Sequence, residues 1–321
     1  MHSSSNERLD SPVSITGGPG PRARTTGRQA RLFHRRQRTF GLIALAPAVV
    51  LVGLFFIVPL VYTFWISLND WPLQGKPTFA GLDNYAFALI DTDYRDSLLF
   101  TLRFATVTTV ISVLLSFSLA LLVWRNFRGV AIFRSAYFFP VAVGMAAAGY
   151  LWFNLFNPQV GAVDQVLLGL GVIREPVNWL ANEDTAFWAV VITSVWKSSG
   201  FGMVMYLVAL QAIPTELRES FSIDGAGRGA TLRFLVVPLV RRTTALVLVF
   251  SVLNTTLAFD QFYAMTKGGP GKSMVSAVYS IYNNAFVFGD LGYGSTLAVI
   301  LLVLLTVVSA IQLYLLRSDD K

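Results

Sequence analysis

Six long apolar runs constrain the fold of this chain more than any other feature. They lie at about 40–68, 97–124, 136–156, 185–210, 243–264 and 294–316. A helix of about 20 apolar residues crosses roughly 30 Å of hydrocarbon, whereas a soluble core does not need uninterrupted runs of that length. Only 13% of the residues are charged and 54% are hydrophobic. We therefore predict an all-α, polytopic membrane protein with about six transmembrane helices.

The basic residues of the interhelical segments predict how the chain crosses the membrane. An even number of spans places both termini on one side, and cytoplasmic loops are enriched in Lys and Arg. The segments that this rule assigns to the cytoplasm contain Arg125, Arg128, Arg134, Arg218, Arg228, Arg233, Arg241, Arg242, Arg317 and Lys321. We expect a multi-pass protein of a bacterial inner membrane, with cytoplasmic N- and C-termini.

Residues 1–39 differ in composition from the rest of the chain. They are rich in Ser, Gly, Pro and Arg, a composition that buries too little apolar surface to fold alone. We predict a disordered, basic cytoplasmic tail at 1–39 and a transmembrane domain at 40–321. Because the positive charge clusters beside a span, its expected role is to hold the N-terminus inside rather than to bind nucleic acid.

The sequence lacks the residues of common catalytic and metal sites. It has no cysteine, and its two histidines, His2 and His34, lie in the tail. We therefore expect no catalytic residues, no metal site and no enzymatic activity. The stretch "GGPGKS" at 268–273 resembles the end of a phosphate-binding loop, but Thr266 stands where the motif requires its first glycine. We expect it to be an extracytoplasmic loop, and no cofactor bound by this chain.

A polar segment, 212–240, separates the fourth and fifth runs. Pro214 and the acidic Glu216 are typical of a helix start, and Gly225 of a helix end. This pattern predicts a short helix from about Thr215 to Asp224, a tight turn, and a second helix through "ATLRFLVVP". A plain polar connector is the alternative reading of the same residues.

The spacing within this segment resembles the EAA loop of permease subunits of ABC importers. That loop has the pattern E-A-A, two residues, D-G-A, and a later proline. Here Glu219, Ser220 and Phe221 are followed by Asp224, Gly225 and Ala226, and then by Pro238. Further stretches resemble the carbohydrate-uptake group, which includes the maltose and glycerol-3-phosphate permeases: "LWFNLFNP", "VWKSSGF", "FDQFYAMTKGGP" and "LGYGSTLAV".

The resemblance implies a transport subunit that binds no ATP itself. Its short cytoplasmic helix would dock on an ATPase, with Glu219 pairing with a basic group and Gly225 giving the turn. The implied partners are a second permease subunit in a heterodimer, two cytoplasmic ATPase subunits that hold ATP and Mg²⁺, and an extracytoplasmic solute-binding protein.

Polar residues in two of the runs are candidates for a substrate path. Asn254, Ala258 and Gln261 share one face of a continuous helix, with Thr255 beside it. The fourth run contributes Trp196, Lys197, Ser198 and Phe201, a combination that can stack on a sugar and bond its hydroxyls. Hydrogen bonding between helices is the alternative role for such groups.

Lys197 lies deep in its run, so we expect it to face a cavity or an acidic partner such as Asp260. The predicted cargo is a sugar or oligosaccharide. Glycerol-3-phosphate or a glycerophosphodiester is the alternative cargo, and a proton-coupled carrier using Lys197 and Asp260 is the alternative mechanism.

Overall fold

The computed structural model describes residues 45–125 and 127–317. The predicted tail at 1–39, its boundary with the transmembrane domain, and Lys321 lie outside these residues. The chain divides into two compact units, one ending at Leu60 and the other beginning at Val61. All packing described below lies within the second unit.

Helices account for most of the described residues. In chain order they are α1 (Leu45–Ser67), α2 (Asp83–Ile90), α3 (Thr92–Trp124), α4 (Val130–Ala142), α5 (Met145–Leu155), α6 (Ala162–Gly169), α7 (Glu183–Gln211), α8 (Thr215–Ile223), α9 (Arg228–Leu239), α10 (Arg241–Thr256), α11 (Asp260–Met265), α12 (Ala277–Tyr282) and α13 (Leu291–Arg317). Short π-helical turns occur within α1 and α9 and directly after α12. Within the described ranges the strands form one antiparallel hairpin, β1 (Asn69–Asp70) with β2 (Thr78–Phe79).

The predicted all-α membrane architecture is confirmed. Four described helices are long and apolar enough to cross a bilayer: α1, α3, α7 and α13. Two bent pairs meet the same criterion only when each pair is taken as one span, which gives up to six spans in the part of the chain that the structure describes.

The third and fifth predicted spans are not straight helices. Helices α4 and α5 meet at a bend of 105°, where Val143 and Gly144 are extended and Met145 begins the next helix. The predicted span at 243–264 is interrupted after Thr256, and α11 begins only at Asp260. The Ser276 hydroxyl donates to the Ala258 carbonyl at 2.8 Å within this second break. Satisfied backbone groups allow such interruptions at membrane depth.

Helix α7 packs closely on α3 and α4 through small residues. A Cβ on Gly200 would lie 2.2 Å from the Tyr137 carbonyl oxygen of α4, and one on Gly202 would lie 2.4 Å from the Ser116 hydroxyl of α3. The Ser116 hydroxyl also donates to the Ser199 carbonyl at 3.0 Å. Close backbone approach and interhelical hydrogen bonds of this kind stabilise helix pairs in lipid, where the hydrophobic effect does not.

Candidate functional site

A cavity of about 590 Å³ lies between the two helix breaks. Val141 and Met145 line it beside the first break, and Leu257 and Phe259 beside the second. Helix α7 forms a further wall through side chains from Ser194 to Gly202. The breaks therefore place backbone carbonyls, hydroxyls and aromatic rings around one cavity. Unbroken helices would pack side chains into this space.

The structure brings together all but one of the predicted substrate-path residues. Those that line the cavity are Lys197, Ser198, Phe201, Asn254, Thr255, Ala258 and Gln261. The shared helical face expected for Asn254, Ala258 and Gln261 does not exist, because the helix is interrupted between Thr256 and Asp260. The chain turns at the break and returns these side chains to the same cavity.

Trp196 is the exception, because it is not among the residues that line this cavity. Its ring packs edge-on against Trp152 of α5, with centroids 5.7 Å apart. Neighbouring residues of a helix point about 100° apart. Because Lys197 faces the cavity, Trp196 is turned towards α5.

Lys197 faces the cavity and not an acidic partner. Its Nζ donates to the Val141 carbonyl at 3.0 Å, near the C-terminus of α4. The carbonyls at a helix C-terminus carry partial negative charge, so they stabilise a cation there. Asp260 lines the same cavity, but the ion pairs found among the described side chains do not include one between Lys197 and Asp260.

Several hydroxyls of the cavity wall also connect helices. Ser198 and Ser112 hydroxyls lie 3.0 Å apart, and those of Thr255 and Thr109 lie 3.3 Å apart. The Gln261 amide donates to the Ser194 hydroxyl at 3.4 Å. Ser198, Thr255 and Gln261 therefore line the cavity and also join helices.

Sequence reasoning missed two aromatic residues of the cavity, Phe250 and Phe259. Phe250 precedes Asn254 by four residues on α10, and its ring contacts Phe201 edge-on at 5.8 Å. The helical spacing from Asn254 was a signal for Phe250. Phe259 lies in the break itself, and helical periodicity gave no signal for it.

The polar segment at 212–240 has the helix–turn–helix form predicted for it. Helix α8 ends at Ile223, one residue before the predicted end, and Gly225 is left-handed with φ of +76°. The Ala226 amide donates to the Phe221 carbonyl at 2.9 Å, and the Gly225 amide to the Ser222 carbonyl at 3.2 Å. These two bonds define a Schellman motif, which requires glycine or a similarly tolerant residue at the left-handed position.

One face of this segment is open and the other is anchored. Glu219, Ser220, Asp224 and Gly225 are exposed, and so is Pro238 at the far end of the segment, whereas Ala226 is half-buried. Ile213, Val236 and Val240 are buried in a core with residues of α3 and α7. Glu219 and the turn at Gly225 are therefore exposed, while the ends of the segment are held in a buried core.

Arg218 joins α8 to the end of α3. Its guanidinium lies over the Trp124 ring, 5.2 Å from the ring centroid, and its Nε is buried without a hydrogen-bond partner. Trp124 is the last residue of α3. Although the sequence assigned Arg218 an ordinary role in membrane orientation, the structure shows a specific contact with a span.

Known proteins with similar sequences are transport permeases. The chain is 31% identical over 278 residues to a probable starch degradation products transport system permease protein, AmyD, of Thermoanaerobacterium thermosulfurigenes, covering 86% of this chain and 93% of AmyD. It is 34% identical over 275 residues to the sn-glycerol-3-phosphate transport system permease protein UgpA of Agrobacterium fabrum, covering 84% of this chain and 92% of UgpA.

The fold is similar to that of a solved bacterial ABC transporter involved in the import of the acidic polysaccharide alginate. The TM-score is 0.78 at 18% identity, and the match covers 91% of this chain and all of the other. A second structure of an alginate ABC transporter contains an alginate pentasaccharide-bound periplasmic protein, and matches with a TM-score of 0.76 at 18% identity, covering 91% of this chain and 99% of the other.

The family whose sequence profile matches residues 112–318 is described as the binding-protein-dependent transport system inner membrane component. This match covers more than half of the chain and includes the residues that line the cavity and the polar segment at 212–240. The chain belongs to this family and is a permease subunit of an ABC importer.

Proposed function

We propose that this permease passes a neutral sugar or oligosaccharide through the cavity between its two helix breaks. The observation that supports this cargo most directly is the composition of the cavity wall. Serine and threonine hydroxyls, the amides of Asn254 and Gln261, and the rings of Phe201, Phe250 and Phe259 surround the space. Apolar walls with a few placed polar groups are typical of small-molecule sites, and these groups suit a ring that carries hydroxyls.

The charges of the described residues favour a neutral cargo over a phosphate. One cation, Lys197, and one carboxylate, Asp260, line the described part of the cavity, and the Lys197 ammonium already donates to a carbonyl. An outer cavity of about 710 Å³ is lined by two cations and four acids: Arg103, Lys272, Asp91, Asp93, Asp96 and Glu183. A glycerol phosphate would meet repulsion at this outer cavity and little compensation within the inner one.

We further propose that import is driven by a separate ATPase. Support comes from the family, from the cytoplasmic segment, and from the lack of an ion pair between Lys197 and Asp260, which a proton relay would use. Two cytoplasmic ATPase subunits would hold ATP and Mg²⁺, and this chain would bind no cofactor. A second permease subunit would complete the pore as a heterodimer, an extracytoplasmic binding protein would deliver the cargo, and both termini would be cytoplasmic.

In this proposal α8 receives the motion of the ATPase and passes it to the spans. Glu219, Ser220, Asp224 and Gly225 would form the docking face. Ala226 and Pro238 would position the two ends of the turn and of the second helix. The Arg218 guanidinium on Trp124 then connects α8 with α3, whose other residues pack along α7 and line the cavity through Ser116.

Arg218→Lys is expected to lower the amount of cargo imported per ATP hydrolysed by about three- to tenfold, because lysine lacks the planar group that stacks on Trp124. ATP hydrolysis itself should persist. The measurement is uptake and phosphate release in the same vesicles. Arg233→Lys is the matched control, since Arg233 is exposed and lies over its own neighbour Phe234 at 5.5 Å. An unchanged ratio for Arg218→Lys would exclude this connection.

Lys197→Met is expected to reduce uptake about tenfold or more, because a hydrogen bond made by a charged donor contributes about 1.5–3 kcal/mol. The Val141 carbonyl would lose its partner at the helix break. Lys197→Gln retains a donor and should recover part of the activity. The measurement is the initial rate of uptake, with the yield of assembled complex measured in parallel. If Lys197→Met matched the parent in both, Lys197 would have no role in the path.

The proposed cargo is tested by uptake into lipid vesicles that contain the complete transporter. ATP is enclosed on the side of α8, and loaded binding protein is supplied outside. We expect ATP-dependent uptake of neutral sugars and no uptake of glycerol-3-phosphate. Uptake of glycerol-3-phosphate and of no sugar would contradict the proposed cargo. Uptake driven by a pH gradient without ATPase subunits would contradict the proposed mechanism.

A further inference from the structure

An outer aromatic strip adjoins the cavity, and three of its four rings have no part in the function described so far. It consists of the rings of Phe259, Tyr263, Tyr282 and Phe286. Phe259 directly precedes α11, four positions before Tyr263. Tyr282 is the last residue of α12, four positions before Phe286, which lies in the π-helical turn that follows. Side chains four positions apart along helical backbone lie on the same side.

The four rings form a continuous surface. Within the two pairs the ring centroids are 5.4 Å and 5.7 Å apart. Phe259 contacts Tyr282 at 5.1 Å, which joins the two pairs, and Tyr263 contacts Tyr282 edge-on at 5.8 Å. Because Phe259 also lines the cavity, the strip begins inside the cavity and leads out of it.

The exposure of the rings separates the strip from an ordinary core. Tyr279 lies against Phe259, Tyr263 and Tyr282 and is 7% exposed, so it is the buried base of the group. Tyr263 is 43% exposed and Phe286 is 61% exposed. Burial alone does not account for a surface that keeps these two rings open.

The strip also differs from the aromatic belt of a membrane protein. In a belt, aromatic side chains anchor the protein at the level of the lipid headgroups. Here the rings contact one another across two helical segments, and the innermost one lines the cavity. A surface of this kind fits the apolar faces of successive sugar rings, while their hydroxyls remain in water or meet the polar groups of the cavity wall.

We propose that the outer aromatic strip is a subsite for an oligosaccharide whose leading ring occupies the cavity. The trailing rings would stack on Tyr282 and Phe286, so the cargo would contain more than one sugar ring. This inference rests on the proposed sugar import. It commits to a carbohydrate as the occupant because the strip is continuous with the cavity through Phe259.

The test compares sugars of different length in vesicles that contain the complete transporter. Saturating binding protein is loaded with neutral monosaccharides or with the di- to tetrasaccharides built from them. Tyr282→Ala and Phe286→Ala are expected to lower the turnover of the longer sugars about five- to tenfold, by analogy with the strength of aromatic contacts. Monosaccharide turnover should not change, and Phe286→Trp should retain the parent activity.

Two controls make the outcomes distinct. Phe79→Ala removes an exposed ring of the outer hairpin that lies outside the strip, and it should have no effect. Size-exclusion chromatography shows whether each variant assembles with its partners. Equal losses for all sugar lengths, or loss of the second permease subunit from Phe286→Ala, would overturn the subsite and make the strip a structural or subunit contact. If the parent imports no sugar, the proposed function fails together with the subsite.

Discussion

Gly225→Val is expected to abolish the stimulation of ATP hydrolysis by loaded binding protein while the spans remain folded. Gly225 has φ of +76° and ends α8 within a Schellman motif. A left-handed conformation costs an ordinary L-residue roughly 1–2 kcal/mol, and a β-branched residue more. A Cβ at this position would meet no heavy atom within 4 Å. The strain is therefore confined to the backbone, and the turn that presents α8 would change without a steric clash in the bundle.

Two further variants separate this effect from a general loss of structure. Gly225→Asn should keep most of the stimulation, since asparagine tolerates the left-handed conformation. Gly229→Ala should behave like the parent, because Gly229 has open space around it and a negative φ. The measurement is phosphate release by the complete transporter in lipid. Full stimulation in Gly225→Val would show that the turn has no part in coupling.

Gly200→Ala is expected to destabilise the membrane domain by roughly 1–3 kcal/mol, the usual cost of overpacking. Its Cβ would lie 2.2 Å from the Tyr137 carbonyl oxygen and 3.2 Å from the Phe138 Cα. Both are backbone atoms, so relief requires α4 to move away from α7. The Val141 carbonyl that accepts from Lys197 lies on α4 as well, and we therefore expect a loss of uptake in the fraction that assembles.

The effect on stability is measured as the thermal midpoint of the purified chain in detergent. Gly169→Ala is the matched control, since a Cβ there would meet no heavy atom within 4 Å. The midpoint should fall for Gly200→Ala and stay at the parent value for Gly169→Ala. Equal midpoints for both variants would mean that the contact between α4 and α7 is looser than the structure shows.

The membrane-spanning helices and the position of α8 were predictable because their signals are local. The thickness of the membrane sets the minimum length of an apolar run that can span it, so such runs are visible in the sequence. Pro214 and Gly225 determine the two ends of α8 through their own backbone preferences. For these features, neighbours along the chain contain most of the information, and the structure moved the end of α8 by one residue.

The helix breaks were not predictable from apolar runs. The bond from Lys197 to the Val141 carbonyl lies beside the first break, and the bond from Ser276 to the Ala258 carbonyl lies within the second. In each bond the donor and the acceptor are far apart in sequence, by 56 and 18 positions. The same limit explains why Trp196 was grouped with the cavity residues but contacts Trp152 of α5. Helical periodicity identifies the residues that share a face, and it does not identify the helix that packs against that face. The functional roles of the cavity and of the polar segment at 212–240 remain predictions.

The most direct measurement of the central claim is a cross-link from α8 to the ATPase. The chain contains no cysteine, so Ile223→Cys supplies a single reactive thiol, at a position that is 85% exposed at the end of α8. Benzophenone maleimide attached there reacts with the nearest polypeptide under ultraviolet light. Phe79→Cys, at the outer hairpin, is the control. The account predicts an ATPase adduct from Ile223→Cys and none from Phe79→Cys. An Ile223→Cys protein that is labelled from outside and forms no ATPase adduct would contradict it.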